Sequence, residues 1–419
     1  MEDNTKLEEL LGIKGIKITK TEMYGWSDFL IHVETTTDVI HCRKCGKKTE
    51  KCHGVAKEVK LRHLPMGNRV TYIIIKPKRG MCKHCEGRPT SNQTTDWYSP
   101  QQRQTKLYED HIMLSAINST VSDVSRKEKI GYMEVAGILS RKVLDEVNWD
   151  EIKAIGSLGI DEIAVKKGYS GYLTIISSHF EGRKTILKVI KGKKKEDVEA
   201  ALSRIPKRLH NTIIAVCTDM YDGYVNAAKA VFRSKVPIVI DRFHVANLYR
   251  DCLTKLRIKE LKRLRKKLTH EQYQSLKEPI AILQKNSELI TEEDRKKLTP
   301  LFKKSPDLKR AYRLCRKITS IFNSHIPKRS ASKRINNWIN DVHESNLIHF
   351  QKVSETFKDR QKEIVNYFKD RQNSGFVEGI NNKIKVTKRR CYGLSEPKTF
   401  FLRLFLDFSG YETLGVSCA

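Results

Sequence analysis

Between residues 155 and 245 apolar strands and helices alternate in an order that restricts the fold more tightly than any other stretch of the chain. Four β-branched runs, Leu158 to Val165, Tyr172 to His179, Thr185 to Ile190 and Ile213 to Cys217, read as strands, and Pro237 to Ile240 reads as a fifth. Helical patterns over Glu196 to Ile205 and Gly223 to Phe232 separate the third, fourth and fifth. The expected order is therefore a three-strand meander followed by helix, strand, helix, strand. Two carboxylates stand at or near strand ends, Asp161 in the first run and Asp219 just after the fourth. A carboxylate in such a place leaves the core at a sheet edge, where oxygen ligands hold hard cations.

That order is the order of an RNase H-like sheet, in which the first and fourth strands are neighbours. Asp161 and Asp219 are then expected side by side. A third acid, Glu378, follows a Gly-containing turn far downstream and opens a helical segment ending in Lys383, Lys385, Lys388, Arg389 and Arg390. Carboxylates beside a dense run of cations suggest Mg2+ or Mn2+ acting on a polyanion. Two such ions about 3.5–4 Å apart serve in-line displacement at phosphorus. Three rival acids are nearby. Glu162 is expected on the opposite strand face from Asp161, Asp222 is explained by turn chemistry, and Asp241 follows the fifth strand with His244 close behind.

Charge narrows the partner. The 419 residues, enough for two to four domains, carry a formal net charge of +31 with a pI near 9.7, and 39% are hydrophobic. A folded chain this basic points to nucleic acid. Residues 246–365 are helical by pattern. Arg250 to Lys267 concentrates Arg250, Lys255, Arg257, Lys262, Arg263, Arg265, Lys266 and Lys267 against two acids, Asp251 and Glu260. Phosphates supply the missing counter-charge. Trp338 in this region is a candidate for stacking on a displaced base, with core packing as the alternative. No run of about 18 apolar residues is present, so no membrane span is expected. Met1 to Leu11 lacks a signal-peptide core, which makes a cytoplasmic location the expectation.

Four of the ten cysteines form two C-x-x-C pairs, Cys42/Cys45 and Cys82/Cys85. Two tight turns, each aiming two thiolates at one ion, supply four tetrahedral ligands for Zn2+. Cys52, His53, His63 and His84 are substitute ligands of lower rank. Short strands are expected from Lys17, over Phe29 to Val33 and over Val70 to Ile75. Residues 100–148 turn helical: Thr105 to Ser119 is one helix, Val121 to Ser125 a cap, and Tyr132 to Val143 a final helix, resembling a helix-turn-helix whose last helix enters a DNA groove.

Together these features resemble a transposase of bacterial insertion sequences, of the ISL3 family. The likeness covers nearly the whole chain. It rests on Cys42-x-x-Cys45-Gly, Cys52-His-Gly, Arg62-His-Leu-Pro-Met-Gly and Lys78-Arg-Gly-Met-Cys-x-x-Cys, then on Gly159-Ile-Asp-Glu, Thr218-Asp-Met-Tyr-Asp-Gly-Tyr, Asp241-Arg-Phe-His-Val and the segment around Glu378. After Cys85 the chain departs from the family pattern, with Glu86-Gly-Arg-Pro-Thr-Ser. The resemblance implies a DDE-type catalytic triad of Asp161, Asp219 and Glu378, supported by Asp241 and His244, in an RNase H-like core interrupted by an α-helical insertion. It also implies double-stranded DNA, transposon ends and target, as partner, and a homo-oligomer on that DNA. The expected multidomain α/β organisation is a zinc-binding domain (1–95), a helix-turn-helix-like segment (96–150), the first part of the core (151–245), the basic insertion (246–365) and the last part of the core (366–419). In the reaction this implies, water would attack first, freeing a 3′-hydroxyl, which would then attack target DNA. The alternatives are a catalytically inactive or repurposed zinc-containing DNA-binding protein, and a nuclease without strand transfer.

Overall fold

The computed structural model describes residues 5–415 apart from 50–51, 144–146, 165–170, 284, 286–288, 372–374, 392–393 and 395; the side chains of 370 and 375–378 also lie outside the description. The chain divides into two compact units, Met1–Val143 with Ser409–Ala419, and Leu144–Phe408.

In the first unit, α1 (Thr5–Leu10) precedes β1 (Ile16–Tyr24), β2 (Asp28–Thr35), β3 (Cys52–Val55), β4 (Val59–Met66), β5 (Arg69–Ile75), β6 (Lys78–Met81) and β7 (Thr90–Asn92). They form a four-stranded sheet, β1-β2-β5-β4, and a small one, β3-β6-β7. Alternation on β1 and β2 turns Ile16, Ile18, Ile31 and Val33 inward, where they join Leu61, Ile73, Ile75 and Trp97 in one apolar cluster. Strand β4 carries polar residues inside. His63 is buried, with its ring nitrogens 2.9 Å from the Thr105 hydroxyl and 3.1 Å from the Leu11 carbonyl. Burial pulls its pKa down to about 4. It is a core histidine, not a metal ligand.

Helices α2 (Lys106–Ala116), α3 (Val121–Glu128) and α4 (Tyr132–Lys142) follow. The segment expected to be a cap, Val121 to Ser125, is itself helical. Thr120 is the cap, accepting from the Asp123 N–H, and Lys129 at φ 55° ends the helix in the left-handed region.

The second unit begins with β8 (Gly156–Ala164), β9 (Tyr172–Phe180) and β10 (Arg183–Lys191). Next come α5 (Lys195–Ser203), α6 (Lys207–His210), β11 (Ile213–Thr218), α7 (Asp222–Phe232) and β12 (Ile238–Ile240). The sheet order is β10-β9-β8-β11-β12. β10, β9 and β8 pair antiparallel, and β8, β11 and β12 pair parallel. The meander and the adjacency of first and fourth strands are as expected from the sequence.

From β12 the chain enters a helical body: α8 (Arg242–Lys267), α9 (His270–Gln274), α10 (Lys277–Ile282), α11 (Glu292–Lys304), α12 (Pro306–Asn323), α13 (Lys328–Ser345), α14 (Ile348–Asp359) and α15 (Gln361–Asp370). It starts at Arg242 rather than near 246, because Asp241 caps α8 directly at the end of the sheet, its side chain accepting from the Phe243 N–H. It ends on α15, whose Asn366 amide donates to the Ile238 carbonyl at 2.8 Å and so covers the edge strand β12. Helices α16 (Gly375–Arg390) and α17 (Pro397–Thr413) close the chain. Sheet and helical body share one apolar cluster, running from Leu158 and Val216 to Ile318, Trp338 and Phe400. Among the described residues no helix is long and apolar enough to cross a membrane.

Trp338 is fully buried, 5.0 Å from the Phe357 ring by centroids, and its indole N–H donates to the Leu314 carbonyl at 2.9 Å. It packs the helical body and has no free face for a base. Trp338→Ala is expected to destabilise the protein by about 3–5 kcal/mol, read as a lower denaturant midpoint; a variant as stable as the parent would contradict this placement.

Candidate active site and metal centre

Strand register builds the acidic site. Thr218 on β11 is paired with Ile160 on β8 and with Ile240 on β12. The next residue on each chain segment is an aspartate, so Asp161 within β8 stands level with Asp219 and Asp241, which follow the last residues of β11 and β12. Together with Ile160, Cys217, Thr218 and His244 they line one narrow cleft.

Each carboxylate is held by a local N–H. Asp161 Oδ1 accepts from the Glu162 N–H at 2.7 Å, Asp219 Oδ1 from the Tyr221 N–H at 2.9 Å, and Asp241 Oδ1 from the Phe243 N–H at 2.6 Å. Asp241 therefore has a structural task as the cap of α8, while its other oxygen lies 3.9 Å from His244 Nε2. Burial is the main cause that raises the Asp161 pKa, and the negative charge of Asp241 adds to it. Burial also raises that of Asp219, with Asp161 and Glu162 contributing. Without a cation, the site penalises its own charge.

Asn381 on α16 donates its amide to Asp161 Oδ2. No sequence signal gave this residue a role, although it lies three positions after Glu378 in the same motif. Glu378 belongs to α16, and its side chain lies outside the described residues. Of the rival acids, Glu162 pairs with Lys193 at 3.4 Å and is not part of the cleft lining. Asp222 opens α7 and pairs with Arg360.

The expected DNA-binding cations divide into two groups. Arg263 makes a paired contact with the buried Glu260, at 2.6 Å for the closest atoms, and donates to the Lys304 carbonyl at 3.0 Å. Lys383 donates to the Asp407 carbonyl and lies 4.6 Å over the Phe408 ring, Lys388 donates to the Ala164 carbonyl, and Arg390 pairs with the buried Asp407. These four side chains are engaged by acceptors of the fold itself. Arg257 is half-buried, whereas Arg250, Lys255, Lys262, Arg265, Lys266, Lys267, Lys385 and Arg389 are exposed.

The four paired cysteines converge. Their sulfurs all lie within 4.8 Å of one another, with Cys45–Cys82 at 3.6 Å and Cys42–Cys85 at 4.0 Å. A tetrahedral Zn–S4 shell with bonds of about 2.3 Å has sulfur–sulfur edges of about 3.8 Å, whereas a disulfide requires about 2.05 Å. The set therefore fits zinc. Each pair sits in a tight turn closed by a glycine in the left-handed region, Gly46 at φ 72° and Gly87 at φ 75°. Gly87 shows how Glu86-Gly-Arg-Pro still forms the second turn. Backbone N–H groups of Cys45 and Lys44 aimed at the Cys42 sulfur lower its pKa to about 6, while the crowding of neighbouring sulfurs raises that of Cys85 to about 12. Cys52, whose thiol donates to the Gly54 carbonyl, and the histidines His53, His63 and His84 are not part of the cluster.

Comparison with known proteins gives the family. Residues 158–404 match a family model described as transposase, residues 38–85 the zinc-finger of transposase IS204/IS1001/IS1096/IS1165, and residues 93–142 the helix-turn-helix domain of transposase family ISL3. The transposase for insertion sequence element IS1001 of Bordetella parapertussis is 25% identical over 416 residues, covering 98% of this chain and 99% of the relative. The transposase for element IS1557 of Mycobacterium tuberculosis (strain CDC 1551 / Oshkosh) is 22% identical over 397 residues, covering 88% and 86%. The chain belongs to the ISL3 family of insertion-sequence transposases.

Metal analysis of the purified chain is expected to return one zinc for each cysteine cluster, and Cys82→Ser to release it. A zinc-free protein that retains a folded first unit would remove the metal centre.

Proposed function

We propose that this chain is an active DNA transposase that cuts double-stranded DNA at the ends of its insertion sequence and joins the freed 3′-hydroxyls to target DNA. The observation that carries this reading is the row of aspartates at one level of three adjacent parallel strands. The sheet order and the helical body between β12 and α16 support an RNase H-like core with an insertion. In this reading the zinc arm, helix-turn-helix segment, first part of the core, insertion and last part of the core keep approximately the boundaries 1–95, 96–150, 151–245, 246–365 and 366–419, with the insertion starting at Arg242.

Asp161, Asp219 and Glu378 are proposed as the ligands for Mg2+ or Mn2+. The donor set fits: it is all oxygen, and Asp161 and Asp219 are pushed toward protonation by burial, a penalty that a hard cation relieves. Glu378 is three residues from Asn381, a spacing that puts two helix positions on one face. Bound divalent ions activate the attacking oxygen and stabilise the leaving one. The protein's own groups set the geometry. Glu162 and Tyr221 N–H groups fix the two carboxylates, and the Asn381 amide orients Asp161. His244 stands beside Asp241 in the lining of the cleft, as a supporting group. Exposed cations on α8 and α16 hold DNA phosphates, and the two element ends call for at least two copies of the chain.

Asp161→Asn, Asp219→Asn and Glu378→Gln are each expected to reduce strand cleavage to background while end binding persists, in a gel assay with end DNA and Mg2+. Asn381→Ala should cost about 10–100-fold in rate, as for groups that orient a metal ligand. Near-parental cutting by a triad variant would take that residue out of the site. For the basic helix, replacing Lys262, Arg265, Lys266 and Lys267 by Gln should flatten the slope of log affinity against log salt by roughly one unit for each phosphate that is no longer neutralised. It should weaken end and random DNA alike; selective loss of end binding with an unchanged slope would make the helix a sequence reader.

A further inference from the structure

We propose that α4 reads the element's ends by apolar contact, Met133 against thymine 5-methyl groups with Tyr132 beside it, and not by hydrogen bonds to base edges. The inference rests on the proposed function, that the chain binds the ends of its element.

In a helix-turn-helix the second helix of the pair lies in the major groove and its N-terminal residues meet the bases. Here α3, the turn through Lys129 and α4 form that pair, and Tyr132 and Met133 are the first two residues of α4. They are also its most exposed large side chains, at 53% and 79%. The alternative, polar readout, falls, apart from the Tyr132 hydroxyl, to side chains that α4 has already committed elsewhere. Glu134 accepts from the Gln104 amide. The Ser140 hydroxyl donates to the Gly137 carbonyl at 3.1 Å. Arg141 donates to Glu109 at 2.7 Å, and Lys142 to Asp110 at 2.8 Å. The helix contains no Asn or Gln, the side chains matched to adenine, and its one arginine, the side chain matched to guanine, is the one held by Glu109.

The face that begins at Met133 continues through Ala136, Gly137 and Ser140 at helical spacing, all small, so nothing holds α4 away from the groove floor. The exposed Arg126, Lys127 and Lys129 on α3 and the turn sit where phosphates flank a groove. A thioether on an unbranched side chain is a soft apolar probe, and the thymine methyl is the apolar feature of the major-groove code.

The test uses the full-length chain and the terminal DNA of its own element, amplified with either dTTP or dUTP so that every 5-methyl group is present or absent, beside random DNA of equal length. The wild type is expected to bind the uracil-containing ends at least about fourfold more weakly, the value of one buried methyl. Met133→Ala, at an exposed position that leaves the fold intact by circular dichroism, is expected to bind the thymine ends about fourfold more weakly than wild type and to treat both DNAs alike. A wild type indifferent to the methyl groups, or a Met133→Ala variant that still discriminates as wild type does, overturns the proposal while leaving end binding in place. If the wild type shows no preference for end over random DNA in either form, it is the proposed end binding that fails.

Discussion

The acidic cleft depends on one constraint, the parallel register of β8, β11 and β12. Residues opposite one another in a parallel ladder stay opposite along the pair, so the residues that follow Ile160, Thr218 and Ile240 come to a common level. All three are aspartates. A one-residue slip in either pairing would turn one carboxylate to the other face of the sheet. The register is held by the core beneath it: Leu158, Ile160, Val216 and Val239 lie in the apolar cluster that extends through the helical body to Trp338. Much of the chain's length thus serves to keep three short strands aligned.

The cost of that alignment is electrostatic. Two of the aspartates are raised by burial, and the direct side-chain hydrogen bond offered across the cleft to Asp161 comes from the neutral Asn381. The protein carries a net charge of +31, yet four of its cations, Arg263, Lys383, Lys388 and Arg390, are turned to internal acceptors. The remaining exposed cations of α8 and α16 face outward.

Much of this was legible in the residues. β-branched runs and their intervening helices disclosed the sheet order, and with it the neighbourhood of Asp161 and Asp219. The cysteine spacing disclosed the metal cluster. Three things were hidden for physical reasons. Strand β4 buries Arg62 and His63, so its pattern is not apolar. Helix α3 buries Val124 alone, too little for a helical period to show. The roles of Asn381, Lys383, Lys388 and Arg390 depend on partners 17 to 224 residues away, which no local pattern encodes. Charge counting finds a basic helix, but it does not separate Arg263, tied to Glu260, from Arg265, which is exposed.

The central claim is that aspartates aligned by the sheet, completed by Glu378, bind the divalent ions that act on DNA. Mn2+ binding to the full-length chain with end DNA, followed by electron paramagnetic resonance, tests it most directly. The account predicts that the wild type takes up Mn2+ with an all-oxygen coordination signature and that Asp219→Asn loses it while keeping its DNA. Undiminished Mn2+ binding by Asp219→Asn would contradict the account.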